Sequence, residues 1–192
     1  GTVFTYTAQW TAESYTISFT DTGDTAVEDM AVTFGQTITV PSGLTKDGQG
    51  VYFTGFAPEL TATIGDLGDN GATVNYTAQW ANETYTLTFT NLFGNTVADM
   101  TVTYGETITV PAGLTRTGYN FIGWAPALDA TIGDLGDNNA TVSYAAQWTA
   151  KTINVTFAGN EGTIDGAATK VVPTTFDSAI VAPEAHREGY TF

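Results

Sequence analysis

An internal repeat of about 70 residues is the strongest constraint on the fold of this chain. The segment DMAVTFGQTITVPSGLT at residues 29–45 recurs as DMTVTYGETITVPAGLT at residues 99–115, with 13 of 17 positions identical. A second segment, ATIGDLGDN, occurs at 62–70 and again, unchanged, at 130–138. Repetition at this period indicates one small structural unit used in tandem, so the copies should fold alike.

Three tryptophans mark the ends of the copies. The sequence YTAQW ends at Trp10 and at Trp80, and YAAQW ends at Trp148. The predicted organisation is therefore a last strand of a preceding repeat at 1–10, repeat 1 at 11–80, repeat 2 at 81–148 and an incomplete repeat 3 at 149–192. Repeats 1 and 2 are expected to be joined by the short linker ANET at 81–84.

Alternation of apolar and polar residues predicts a mainly β protein. In SYTISFT at 14–20 and in its copies, every second residue is apolar, which is the pattern of a strand with one buried face. The last segment of each repeat, which ends in AQW, alternates in the same way. Little helix is expected, with single turns at 60–67 and 128–135 as the best candidates. Pro41, Pro111 and Pro183 are predicted to end strands, because proline cannot donate a ladder hydrogen bond.

Aromatic residues make up 12% of the chain, enough to supply a small core to each repeat. We expect repeats 1 and 2 each to have one core, and core packing is favoured over an exposed platform for sugars. The predicted cores consist of Phe19, Phe34, Phe53, Phe56 and Trp80 in repeat 1, and of Phe89, Tyr104, Phe121, Trp124 and Trp148 in repeat 2.

Charge excludes one class of partner. Five Lys and Arg stand against 20 Asp and Glu, which gives a formal net charge of -15 that repels nucleic-acid phosphates. No apolar run approaches the roughly 18 residues that a transmembrane helix needs, so no membrane span is expected in this chain. The chain has no cysteine, so it has no disulfides.

Side chains for catalysis or metal binding are sparse. His186 is the only histidine and is expected in an exposed turn, and no nucleophile, base and orienting residue recur among the copies. Weak calcium candidates are Asp66 and Asp69 with their copies Asp134 and Asp137. Their spacing fits no EF-hand loop, so plain turns are favoured over calcium sites. We predict no catalytic residues, no cofactor and no metal.

The segment RTGYNFIGW at 116–124, followed by AAQW at 145–148, resembles the Listeria-Bacteroides repeat. Repeat 1 departs from the pattern, with Lys46 for the arginine and Phe56 for the motif tryptophan. The resemblance implies a small β-grasp-like module of about 68–70 residues, strung in tandem on exported surface proteins, and it implies no catalysis. The structural motif residues are Trp10, Trp80, Trp148, Tyr119, Phe121, Gly123, Trp124, Phe53 and Phe56.

The expected function is that of an extracellular, cell-surface structural or adhesive repeat protein, a semi-rigid stalk or spacer whose partners are adjacent repeats of the same or a neighbouring chain. One alternative is a fibre in which the strand at residues 3–10 is donated to the incomplete repeat 3 of another chain. Longer tandem sequence around this chain is the simpler explanation of the incomplete units. Another alternative is an adhesin module that binds a glycan, receptor or matrix ligand, with Phe93 as the residue to examine.

Overall fold

The computed structural model describes all 192 residues and contains twelve strands and no helix. The mainly β expectation is therefore confirmed. The strands are β1 Ser14–Thr20, β2 Met30–Thr33, β3 Val51–Ala57, β4 Thr73–Asn82, β5 Thr84–Thr90, β6 Met100–Thr103, β7 Tyr119–Ala125, β8 Thr141–Ala150, β9 Thr152–Ala158, β10 Thr163–Ile164, β11 Thr169–Thr175 and β12 Ala185–His186.

Repeat 1 folds into a four-stranded mixed sheet in the order β2-β1-β4-β3. The central strands β1 and β4 run parallel, with Phe19 opposite Tyr76, and both outer pairs are antiparallel. β1 and β4 are the two strands with the clearest alternation in the sequence. Because one face of this sheet is buried, that alternation determines the register.

Repeat 2 repeats this sheet in the order β6-β5-β8-β7, again with a parallel central pair in which Phe89 lies opposite Tyr144. The chain is thus built from small β-grasp-like repeat modules. Two compact units make up the chain: unit 1 consists of residues 1–85, 101–107 and 131–140, and unit 2 consists of residues 86–100, 108–130 and 141–192. Each unit includes parts of successive repeats.

One hydrophobic cluster forms the core of repeat 1. It contains the buried side chains of Tyr15, Ile17, Val32, Leu44, Phe56, Leu60, Ile64, Tyr76 and Ala78, with Phe19, Phe53 and Trp80 packed against them. The prediction of a shared core is confirmed for those aromatics and is wrong for Phe34, whose side chain is 54% exposed. β2 ends at Thr33, so Phe34 lies in the following turn, where strand alternation no longer applies.

The two expected helical turns are absent. Residues 62–64 instead run antiparallel to residues 36–38, with an isolated bridge between Thr37 and Thr63. The amide of Ile64 donates to the Gln36 carbonyl at 2.9 Å, and the amide of Ile38 donates to the Ala62 carbonyl at 2.8 Å. These hydrogen bonds replace those of a helix, and they allow Leu60 and Ile64 to be buried against the sheet.

Two strand predictions are also corrected. No strand precedes Pro41, Pro111 or Pro183, since the residues before them form no ladder and the nearest pairing in repeats 1 and 2 is a single bridge. Residues 1–13 form no strand either. β4 and β8 are flanked by a strand on both sides, and residues 1–10 have no such neighbours in this structure.

Repeat 3 has the front half of the same plan. β9 pairs antiparallel with β11 over seven residues, from Thr152 opposite Thr175 to Ala158 opposite Thr169. The short strands β10 and β12 form a separate two-stranded ladder, in which Thr163 lies opposite His186. The histidine is exposed, as expected, although it lies in a strand rather than in a turn. The structure contains no helix that could cross a membrane.

Candidate functional site

The motif aromatics of repeat 2 form a continuous cluster of edge-to-face contacts. The ring of Trp124 lies 4.9 Å from Phe89 and 5.4 Å from Phe121, and Phe121 lies 5.6 Å from Trp148. Such contacts contribute about 0.5–1.5 kcal/mol each beyond the area they bury. Trp124 is buried, and its indole N–H donates to the Pro111 carbonyl at 2.8 Å. This part of the motif holds the repeat together.

Repeat 1 contains the same cluster with Phe56 in the place of Trp124. The Phe53 ring lies 5.1 Å from Phe56 and 5.8 Å from Trp80, and Phe19 lies 5.3 Å from Phe56. The departure of repeat 1 from the motif therefore leaves the packing plan intact.

The tryptophan that ends each AQW segment closes a turn. The indole N–H of Trp80 donates to the Asp21 carbonyl at 3.1 Å, and that of Trp148 donates to the Asn91 carbonyl at 3.0 Å. Asp21 and Asn91 both have positive φ, a conformation that Asp and Asn tolerate better than most residues. Trp10 makes no such contact and is 92% exposed.

The motif glycine Gly123 lies at a β-bulge. The register of β7 against β8 shifts between Phe121 and Gly123, and the same shift occurs in repeat 1 before Gly55. Gly123 has φ of 130° and Gly55 has φ of 139°. These angles favour glycine, and the bulge allows Phe121 and Trp124 both to contact the cluster although they are three residues apart.

A single residue, Glu83, connects the strands of successive repeats, so the linker is shorter than the four residues expected. Its amide donates to the Gly50 carbonyl at 2.8 Å, and its carbonyl accepts from the Tyr104 amide at 2.9 Å. Gly50 has φ of 59°, and a Cβ there would overlap the ring of Tyr104. This arrangement is named here the joint, and in it Tyr104, which was predicted for the core of repeat 2, is half-buried with its ring against Gly50.

A second joint has the same construction within unit 2. The amide of Lys151 donates to the Gly118 carbonyl at 2.8 Å, and the Lys151 carbonyl accepts from the Phe176 amide at 2.9 Å. A Cβ at Gly118 would overlap the Phe176 ring. The motif residue Tyr119 contributes here, with its ring 5.7 Å from Phe176 and its hydroxyl donating to Asp177 at 2.9 Å.

Sequence reasoning missed the joints, although a signal for them exists. An aromatic residue stands at the same place in each copy: Phe34, Tyr104 and Phe176. In two copies it faces a glycine of positive φ from the repeat before it. An aromatic residue that is shared by the copies but lies outside the alternating pattern of the strands therefore indicates a contact other than core packing.

The basic residue of the motif stacks on aromatic rings in every copy. The Lys46 ammonium lies 4.7 Å from the centre of the Trp80 ring, and the Arg187 guanidinium lies 4.1 Å from that of Tyr190. Arg116 lies between two rings, 3.6 Å from Phe93 and 3.7 Å from Tyr119. Such contacts contribute about 0.5–1 kcal/mol at exposed sites.

The calcium candidates lie in turns that use their oxygens. The carboxylate of Asp66 accepts from the Gly68 amide at 2.9 Å, and that of Asp134 accepts from the Gly136 amide at 2.9 Å. The backbone carbonyls of Asp69 and Asp137 accept hydrogen bonds from the amides of the residues three positions later in the chain. Nowhere do three or more acidic or histidine side chains lie close enough together to hold a metal ion.

Tyr85 lies next to the joint residue Glu83. Its side chain is buried, and its hydroxyl donates to the Glu83 carboxylate at 2.6 Å. Burial, followed by this hydrogen bond, raises the pKa of Tyr85 to about 12. The neutral phenol is therefore the form that the folded repeat stabilises.

This pKa predicts alkaline sensitivity. Because the pKa is raised in the folded state, the stability it contributes is complete below the unfolded pKa of about 10 and is lost as the pH rises towards 12. Chemical denaturation followed at several pH values should show this loss, and Tyr85→Phe should reduce it. An equal loss in Tyr85→Phe would contradict the assignment to Tyr85.

Comparison with known proteins agrees with the tandem repeat structure described above. The family profile of the Listeria-Bacteroides repeat domain matches residues 15–55 and 85–149, together more than half of the chain. A relative from Evansella cellulosilytica named "Putative membrane protein" is 28% identical over 196 residues, covering 96% of this chain and 29% of its own. A second from that organism, "Putative Gly-rich membrane protein", is 29% identical over 194 residues, covering 96% and 22%. The chain spans less than a third of the length of these curated relatives. On the extent of the profile match, the chain belongs to the Listeria-Bacteroides repeat domain family.

Proposed function

We propose that this chain is a non-catalytic, extracellular repeat segment that acts as a semi-rigid spacer or stalk on the cell surface. The observation that carries the proposal is the joint. It occurs twice with equivalent backbone hydrogen bonds, and each time an aromatic ring lies against a glycine. A flexible linker would need neither. Tandem modules with short, bonded connections keep their direction along the array and so hold a distal part away from its base.

Freedom of motion at the joint is restricted in two ways. Glu83 is bonded through its amide to repeat 1 and through its carbonyl to Tyr104, which leaves few backbone torsions free between β4 and β5. The ring of Tyr104 already lies against the backbone of Gly50, so rotation about the linker in that direction would make the two overlap. A bend at the joint must therefore break hydrogen bonds or move the ring.

Placement at the cell surface is supported by the family and by the names of the two relatives, both of which describe membrane proteins. The net charge of -15 favours solubility and repels other acidic surfaces. Antibodies raised against this chain should label intact, unpermeabilised cells of the source organism. Labelling that required permeabilisation would contradict the proposed location.

Rigidity is tested separately from location. Amide NMR relaxation should give one rotational correlation time for the β1–β4 sheet and the β5–β8 sheet. The chain with four Gly-Ser pairs inserted after Glu83 is the matched control, and its two sheets should tumble faster and independently. Independent tumbling in the chain without the insertion would exclude a semi-rigid spacer.

A further inference from the structure

We propose that repeat 2 binds an acidic sugar in a cleft formed around Phe93, Arg116 and Lys151, named here the Phe93 cleft. The cleft has a volume of about 670 Å³ and is also lined by Tyr119 and Asn120. The proposal deepens the adhesive part of the proposed function and rests on it. The spacer role depends on the joints and is tested by other measurements, so the two fail independently.

The first observation is the state of the cationic side chains. The chain has only five Lys and Arg among 20 Asp and Glu. Three of them form ion pairs: Lys46 with Asp21, Lys170 with Asp165 and Arg187 with Glu161. The other two, Arg116 and Lys151, have no carboxylate of unit 2 within ion-pair distance, and both line the Phe93 cleft. Within unit 2, the two basic side chains that form no ion pair thus line the same cleft.

The second observation is a change of charge between the copies. The loop DTGDTAVED at 21–29 contains four carboxylates, and its copy NLFGNTVAD at 91–99 contains one. Asn91 replaces Asp21, the partner of the basic motif residue in repeat 1. Carboxylates that would repel an anion are therefore missing from the loop beside Arg116, although most of the repeat is unchanged.

The third observation is the backbone of Phe93. Its φ is 47°, at the position where repeat 1 has Gly23 with φ of 67°. A bulky residue in this region costs about 1–2 kcal/mol, and such strain is often found at binding sites. The side chain is 53% exposed. The centre of its ring lies 6.0 Å from that of the Trp148 ring and 3.6 Å from the guanidinium carbon of Arg116. Repeat 2 thus keeps a strained, exposed aromatic where glycine would be the relaxed choice.

These features define the ligand by its chemistry. An exposed aromatic ring packs against the apolar face of a pyranose, and an arginine whose guanidinium lies close to two rings can donate its N–H groups to a carboxylate. Lys151 adds a second, exposed positive charge at the cleft. A sugar with one carboxylate on each ring fits, whereas the overall charge of -15 opposes a densely charged polyanion. The occupant we infer is a uronic acid unit of a polysaccharide.

The test is calorimetric titration of the full chain with hexagalacturonate, with maltohexaose as the uncharged probe and polyglutamate as the probe without a sugar. We expect binding of hexagalacturonate that weakens about tenfold in Lys151→Gln, since a charge-assisted hydrogen bond contributes about that factor. Lys170→Gln, with the same charge change at an ion pair elsewhere, is the matched control and should bind normally. Phe93→Gly should lose binding while its circular dichroism spectrum stays unchanged, because the relaxed backbone offsets the lost contacts of the ring with Trp148 and Arg116.

Each remaining outcome overturns a stated part of the proposal. Equal binding of maltohexaose would remove the role of charge. Equal binding of polyglutamate would replace the sugar with an acidic peptide. No heat with hexagalacturonate at millimolar concentration, or the same weakening in Lys170→Gln as in Lys151→Gln, would show that the Phe93 cleft is not a site for acidic sugars.

Discussion

Trp124→Ala is expected to lower the free energy of unfolding of repeat 2 by about 3–5 kcal/mol, the usual cost of truncating a buried tryptophan. The indole is buried between Phe89 and Phe121 and donates to the Pro111 carbonyl. Its removal leaves a cavity in a module of about 70 residues, which has little stability in reserve. Chemical denaturation followed by tryptophan fluorescence and by circular dichroism measures the change.

Trp124→Phe is the matched control, because repeat 1 has Phe56 at this position and keeps the same cluster. We expect a loss of about 1–2 kcal/mol, from the smaller ring and the lost hydrogen bond. If the phenylalanine variant were as unstable as the alanine variant, the hydrogen bond to Pro111 rather than packing would be the main contribution. If neither variant lost stability, Trp124 would not be part of the core.

Gly50→Ala is expected to cost about 2–4 kcal/mol, the second large effect. Alanine at φ of 59° is strained, and its Cβ would overlap the ring of Tyr104. Gly48→Ala separates these causes, since Gly48 has φ of 68° but no atom near its missing Cβ. The control should cost only about 1 kcal/mol. Thermal unfolding of the two variants provides the comparison.

The contact with the ring is tested by a double-mutant cycle. Tyr104→Ala removes the ring, so the further cost of Gly50→Ala in that background should fall to the cost of Gly48→Ala. A coupling of about 1–2 kcal/mol is expected for residues in direct contact. Additive effects would show that the ring and the glycine do not touch in solution.

Much of the fold could be predicted from the sequence, because the repeat and the alternation of residues constrain it twice. The alternation in residues 14–20 predicted β1, and the aromatic residues Phe53, Phe56 and Trp80 were assigned to the right cluster. Periodicity fails where strands end. Phe34 follows β2 by one residue and is exposed, and the region of Leu60 is held by backbone hydrogen bonds that no pattern of side chains reveals.

The sites were harder to predict than the fold for a physical reason. The joint consists of one shared residue, a glycine and a ring that are far apart in sequence, so its parts carry no local pattern. The Phe93 cleft is visible only as a difference between copies, with Phe93 in place of Gly23 and Asn91 in place of Asp21. The positions that repeats 1 and 2 share are mostly core residues. The binding site lies at positions where the two copies differ, so a search for shared residues does not find it.

The central claim, that the joint holds successive repeats in a fixed relation, is tested most directly by a distance between spin labels. The chain has no cysteine, so Ala31→Cys and Thr101→Cys can be labelled without background. These exposed positions are equivalent in β2 and β6. We expect one narrow distribution of distances that broadens in Gly50→Ala and stays narrow in Gly48→Ala. A distribution already as broad in the otherwise unchanged chain as in Gly50→Ala would contradict the claim.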